Sequence, residues 1–356
     1  MSSALLDPIS AAGPTPDPAG VLSLGDANRL ATALQSGVPL VRRPFHALAD
    51  TLALEPGAVM EQIAAWRHAN LLREISAVLE GAALGYDSAL VAGSVPLDRL
   101  DEVADVISAM PTVTHNYLRE HELNLWFTIA VPQEWGLETA LEALTRQTAV
   151  PFHPMRRTLT FKVGVNFDLE SRRSRTEAIE LTAPVPVALT ERERRLFRAL
   201  QHDLPAEAEP FHALAAQHGF DADELLDFAR EHLGGAIRRV VGTFRHRRLG
   251  VRGNGMAVWN VSESALAEVG PRLAEHPDVS HCYARESAPG FPYTLYSMIH
   301  GPDRETCIET ASRLEEVVGT RDYRILFSTV EYKKCRLRYF LPELDAWWSQ
   351  HVGTFQ

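Results

Sequence analysis

The feature that most constrains this chain is that it matches itself. At an offset of about 166 residues, Pro44-Phe45-His46-Ala47-Leu48-Ala49 returns as Pro210-Phe211-His212-Ala213-Leu214-Ala215. Leu84-Gly85 returns as Leu249-Gly250, and Val113-Thr114-His115-Asn116-Tyr117-Leu118-Arg119-Glu120 as Val279-Ser280-His281-Cys282-Tyr283-Ala284-Arg285-Glu286. Phe161-Lys162 has a looser echo in Tyr332-Lys333. Several collinear matches mean a duplicated module, so one fold must be found that serves twice. The 356 residues allow that, with a core in each part.

Each half opens on three short stretches with apolar residues at helical spacing: 26–34, 45–54 and 58–69, then 191–200, 210–218 and 223–231. Three such helices predict a helix-turn-helix domain. The period then changes to two. Strand 88–95, helix 97–110, strands 113–120 and 124–131, helix 137–145 and strand 158–167 give the order β-α-β-β-α-β. The second half repeats it over 257–261, 264–275, 279–285, 293–299, 304–318 and 324–331. The fold class is therefore α+β, a tandem duplication of a helix-turn-helix domain followed by a ferredoxin-like domain. Boundaries fall at 1–21 (a Pro/Ala/Ser-rich tail), 22–83, 84–181, 182–189 (a linker holding Pro184 and Pro186), 190–248 and 249–345. Each sheet should pack one face on its helices and leave the other for a partner or ligand.

Composition narrows the function. No apolar run is long enough to span a bilayer, and the N-terminal stretch lacks the pattern of a secretory signal. Three unclustered cysteines, Cys282, Cys307 and Cys335, fit a reducing compartment, so the expected location is the cytoplasm. A net charge of −11 argues against a surface built for nucleic acid. The second helical domain carries Asp221, Asp223, Glu224, Asp227 and Glu231 where a DNA reader needs cations. Against this acidic background stands one basic run, Arg238, Arg239, Arg245, His246, Arg247, Arg248 and Arg252. It reads either as a solvated helix end with an edge strand, or as a binding surface for a polyanion.

The architecture resembles the Lrp/AsnC regulators. More specifically, His115-Asn116-Tyr117-Leu118-Arg119-Glu120 with Asn124-Leu125-Trp126-Phe127-Thr128 resembles the signature of the siroheme decarboxylases. Ile237-Arg238-Arg239 through Arg245-His246-Arg247, with Gly250 and Asn254-Gly255-Met256-Ala257-Val258-Trp259, resembles the companion signature of their second subunit type, here fused in D-L order. The resemblance spans nearly everything from Leu22 to Leu341. It implies a carboxy-lyase of haem d1 biosynthesis. Its substrate would be siroheme, an iron tetrapyrrole with eight carboxylates, converted at C12 and C18 to 12,18-didecarboxysiroheme. The iron would come with the substrate, and no separate cofactor is expected.

Period two places His115, Tyr117 and Arg119 on one strand face, and His281, Tyr283 and Arg285 likewise. His115 and His281 are candidates for proton donation, since imidazole titrates near neutrality. Tyr117 and Tyr283 would donate hydrogen bonds or line the ring, and Arg119 and Arg285 would hold carboxylates. His246 is a candidate axial ligand to the iron or an acid catalyst, with Arg238, Arg245 and Arg247 as further carboxylate partners. Trp126 is a candidate to stack on the macrocycle or to pack in the core. By offset 166, Gly290-Phe291-Pro292-Tyr293 stands where the first half has Asn124-Leu125-Trp126-Phe127. A regulator sensing haem or a small effector, and a tetrapyrrole carrier without chemistry, are the competing readings. A homodimer, or association with other haem d1 pathway proteins, stays open.

Overall fold

The computed structural model describes residues 21–162, 166–167, 174–175, 188–245 and 253–353. Nearly all of the expected tail (1–21) and most of the expected linker (182–189) lie outside these residues.

The helical modules form where the sequence marks them. Helices α1 (Leu24–Ser36), α2 (Pro44–Leu52) and α3 (Pro56–His68) precede strand β1 (Leu72–Leu79). In the second half α6 (Glu191–Leu200), α7 (Pro210–His218) and α8 (Ala222–Glu231) precede β8 (Ile237–Phe244). Thr190 and Glu193 close a reciprocal capping box on α6, and Asp221 accepts from the first amides of α8. Proline occupies the first turn of α2 and α7, where its missing N–H costs nothing. Both helices end on a left-handed residue, Gly219 in one copy (φ 72°) and Ala53 in the other (φ 53°). Because a Cβ is penalised there, Ala53→Gly should raise stability by about 1 kcal/mol in a denaturant titration. No gain, or a loss, would contradict this account of the cap.

Strand β1 has no counterpart among the expected elements, and β8 corresponds only to the edge strand of one reading of the basic run. They pair antiparallel, Leu72 opposite Phe244 and Leu79 opposite Ile237, so the two helical modules share one ribbon. Arg336 clamps it, donating to the Glu74 carboxylate at 3.1 Å, to the Ser76 hydroxyl and to the Ala77 carbonyl.

The βαββαβ units follow as expected in order. The first comprises β2 (Tyr86–Gly93), α4 (Leu100–Ala109), β3 (His115–Arg119), β4 (Leu125–Pro132), α5 (Leu137–Thr148) and β5 (Phe152–Lys162). A two-residue pair, β6 (Asn166–Phe167) with β7 (Ser174–Arg175), comes next. The second unit comprises β9 (Gly253–Trp259), α9 (Glu263–Glu275), β10 (Val279–Arg285), β11 (Leu295–Gly301), α10 (Arg304–Val318) and β12 (Tyr323–Lys334), followed by a closing helix α11 (Pro342–His351).

The two sheets do not stay open. Edge β3 pairs with β12 and edge β10 with β5, so eight strands close a barrel in the order β10-β11-β9-β12-β3-β4-β2-β5. Every neighbour is antiparallel. Strands β3 and β10, four steps apart, therefore run the same way, and the pseudo-two-fold lies along the barrel axis. Closure leaves no free edge, and the sheet faces expected to be free become the barrel interior.

The Phe161-Lys162 and Tyr332-Lys333 echo is explained by this closure. Lys333 donates to the carbonyls of Ser108 (2.7 Å) and Met110 (3.1 Å) at the end of α4. Lys162 donates to the His276 carbonyl (3.1 Å) at the end of α9. Each half thus caps a helix of the other with a cation, buried at Lys162 and half-buried at Lys333, where the helix dipole favours it. Gly270 belongs to the same joint: a Cβ there would sit 2.3 Å from the Phe161 ring.

Candidate active site

The barrel interior is divided. One part is an apolar plug of Leu90, Ala92, Trp126, Met155, Met256, Val258, Phe291, Tyr293, Tyr296 and Leu326. Beside it lies a cavity of about 380 Å³ whose wall includes all six residues singled out by period two. His115, Tyr117 and Arg119 come from β3, and His281, Tyr283 and Arg285 from β10. Because these strands run the same way, the histidines form one layer, the tyrosines a second and the arginines a third. The ring spacings repeat accordingly, 6.0 Å for His115–Tyr117 and 6.1 Å for His281–Tyr283. The intervening residues face outward: Asn116 bonds to the Ala104 carbonyl and the Ser108 hydroxyl of α4.

The cavity's charge is one-sided. Arg119, Arg285 and Lys334 line it, and no Asp or Glu among the described residues does. Arg119 is 8% exposed, donates one Nη1 bond to the Leu326 carbonyl (2.6 Å), lies over the Tyr117 ring, and has a buried Nε with no partner. Burial lowers its pKa to about 10. Arg285 donates to the Met155 carbonyl (3.1 Å) between the rings of Tyr283 and Tyr296, and burial lowers its pKa too. Neither has a carboxylate partner among the described residues. Buried charge is costly unless paired, so two such guanidinia in one cavity specify an anionic ligand.

The neutral groups are tuned by the same field. Burial lowers the His115 pKa to about 4, and Lys334, Arg73 and Arg119 push it the same way. His300 falls to about 4 through burial and Lys334. Burial raises the Tyr283 and Tyr296 hydroxyls.

Other expected site residues stand apart. Arg238 is on β8, outside the barrel, 3.7 Å from Glu80, which also lies 3.9 Å from Arg157. It does not line the cavity, because its strand pairs with β1 and not with a barrel strand. It does act electrostatically on Tyr283. Arg245 follows β8 as an exposed residue whose amide bonds to the Leu71 carbonyl, again outside the wall. His246 and Arg247 lie outside the described residues. Trp126 is 1% exposed, with its ring against Phe291 and its N–H on the Leu123 carbonyl (2.5 Å), so it meets the cavity as part of the plug.

Thr128, Tyr296, Met298, His300, Ser328 and Lys334 were not singled out from sequence. The offset explains four of them. The β10–β11 connection is four residues longer than β3–β4, so Trp126, opposite Tyr117, matches Tyr296, opposite Tyr283. The equivalence of Trp126 with Pro292 drawn from offset 166 is thereby corrected. Thr128 matches Met298, and His300 is the next inward position on β11.

The helical modules give no DNA-reading face on their acidic helix. Asp223 pairs with Arg42 (2.5 Å), Glu224 with Arg192 (2.7 Å) and Asp227 with Arg230 (2.7 Å). On α3, Arg67 is held by Asp203 at 2.7 Å. No helix among the described residues is long and apolar enough to cross a membrane.

Comparison with known proteins agrees with this division. The AsnC-like ligand binding domain family matches residues 83–162 and 248–333, and the siroheme decarboxylase NirDL-like HTH domain family matches residues 28–73 and 193–237. A siroheme decarboxylase of Hydrogenobacter thermophilus is 35% identical over 330 residues, which cover 92% of this chain and 98% of that one. The crystal structure of the siroheme decarboxylase NirDL aligns with a TM-score of 0.75 at 31% identity, over 92% of this chain and 98% of that one. The siroheme decarboxylase NirDL in co-complex with an iron-uroporphyrin III analogue aligns equally well.

Proposed function

The chain belongs to the siroheme decarboxylases, in the fused NirDL-like form, and on that premise we propose that its barrel cavity decarboxylates the acetate side chains of siroheme at C12 and C18. The observation that carries this assignment to the cavity is its wall: buried Arg119 and half-buried Arg285, both without carboxylate partners, beside three histidines, with no acidic side chain among the described residues.

Arg119 and Arg285 hold ring carboxylates in the ionised form, which is the form that expels carbon dioxide. The C–C bond of an acetate breaks, its electron pair stays on the methylene carbon, and the macrocycle delocalises it. One proton delivered to that carbon completes a methyl group. Each event consumes one proton and releases one carbon dioxide, so no oxidant, reductant or separate cofactor enters. Tyr117 and Tyr283 line the ring and orient carboxylates by hydrogen bonds, the Tyr283 hydroxyl being held neutral by burial. His115 and His281 stand where protons are handled. The apolar plug, Trp126 included, excludes water from one side. We place the reaction in the cytoplasm, with siroheme as the partner that brings the iron.

Anaerobic incubation of the purified chain with siroheme, followed by mass spectrometry, tests the proposal. Loss of two carbon dioxide units without added oxidant is the expected result. Bound siroheme of unchanged mass would sink it and leave a carrier.

A pH dependence follows from the low histidine pKa values. Part of the His115 depression comes from Lys334, Arg73 and Arg119, and part of the His300 depression from Lys334. A polycarboxylate neutralises those cations, so binding raises both pKa values from about 4. A ligand that raises a pKa takes up protons and binds more tightly as pH falls towards the free-protein value. Calorimetry near pH 6.5, in buffers of different ionisation enthalpy, should show net uptake of about one proton on binding. Proton release would contradict the assignment.

A further inference from the structure

The cavity wall holds a third histidine that the proposed chemistry does not use. His300 comes from β11, two residues past Met298, which stands opposite His281. With Thr128 matching Met298, the position matching His300 in the first half is Ala130, so this imidazole occurs once in the barrel.

The protein around His300 leaves it unsatisfied. Its ring finds no hydrogen-bond partner among the described residues. Asp278 meets it only through the backbone, the His300 amide donating to the Asp278 carbonyl at 3.4 Å. The Asp278 carboxylate lies instead 3.9 Å from His276 and 3.8 Å from Arg313. The charge that His300 does feel is positive. Lys334, on β12 opposite His115, lines the same wall and acts on the His300 and His115 rings alike. Burial and that ammonium bring His300 down to about 4, so the free ring is neutral at pH 7 and has one N–H to donate.

An imidazole donor and an ammonium that act on one another across a cavity wall without acids are what an ionised carboxylate satisfies, through charge-assisted bonds. Arg119 and Arg285 account for two carboxylates, whereas siroheme carries eight. A carboxylate buried without a partner is costly, so a ligand of this class needs cations beyond the two arginines. We propose that His300 and Lys334 form a third carboxylate subsite, a specificity-determining pair that favours a tetrapyrrole rich in carboxylates over one that has only two. The class of ligand rests on the decarboxylase reading. Because His300 has no counterpart in the first half, the subsite takes one carboxylate.

Binding titrations of the full chain with iron uroporphyrin III, which has eight carboxylates, and with haem b, which has two, test this pair. His300→Gln should weaken iron uroporphyrin III binding about 10-fold, the loss of one charge-assisted bond. It should leave haem b affinity and the urea midpoint of the ligand-free chain unchanged. Lys334→Met should show the same selectivity. In the double variant the two losses should fall short of additive, because both groups serve one carboxylate. Unchanged affinity for iron uroporphyrin III, or fully additive losses, would overturn the proposal. Equal losses for both ligands, or a lowered urea midpoint, would make His300 structural and would overturn it too. None of these readouts needs turnover, so a chain that shows the expected pattern and leaves siroheme intact would count against the decarboxylase reading alone.

Discussion

Replacing Arg119 and Arg285 together by methionine will lower kcat/KM for siroheme by at least about 10³-fold while the ligand-free fold becomes harder to denature. The two effects have one cause. Removing a partner from a buried, hydrogen-bonded charge pair costs about 2–5 kcal/mol, and in the complex each arginine would be half of such a pair with a ring carboxylate. Without substrate, the same guanidinia are stranded. Arg119 has its pKa lowered to about 10 by burial, which corresponds to a penalty of roughly 3 kcal/mol on the charged form. Because a cation with a lowered pKa stays charged below that value, the penalty applies at every working pH. Methionine removes it and fills similar space, at the expense of the bond to the Leu326 carbonyl. A net gain of about 1 kcal/mol in a urea titration is therefore expected. If activity and stability fell together, Arg119 would be a structural residue.

The second large effect is on His115. His115→Gln should lower kcat by about 10²–10⁴-fold, the usual contribution of a positioned general acid, with little change in siroheme affinity. Single-turnover kinetics separates chemistry from binding and release. A raised KM with kcat intact would show that His115 only binds.

How far these residues were visible beforehand differs by position. The duplication, the helical modules and the βαββαβ order were legible because each rests on local periodicity and on repeated segments. The six residues of β3 and β10 were legible for the same reason, since period two fixes a shared face without reference to other strands. What could not be read was pairing between the halves. The β1–β8 ribbon and the β3–β12 and β5–β10 edges join segments far apart in the chain, and no local pattern announces them. That is why Arg238 looked like a cavity residue, and why the Lys162 and Lys333 echo had no meaning until each lysine was seen capping a helix of the other half. Thr128, Tyr296 and His300 were hidden by the four extra residues before β11, which move the offset from that of the preceding strand. A gapped self-comparison would have found the register. Of the basic run, Arg238 and Arg245 stand outside the cavity wall, because β8 pairs with β1 and not with a barrel strand.

The account's central claim is that one closed barrel cavity, built from both halves, holds siroheme. Determining the structure of the chain with siroheme bound tests it most directly. The macrocycle is expected inside the barrel, with its carboxylates on Arg119 and Arg285. Siroheme seated outside the barrel, for instance in the cleft where Arg194 and Arg198 of α6 face Trp135 and Phe340, would contradict it.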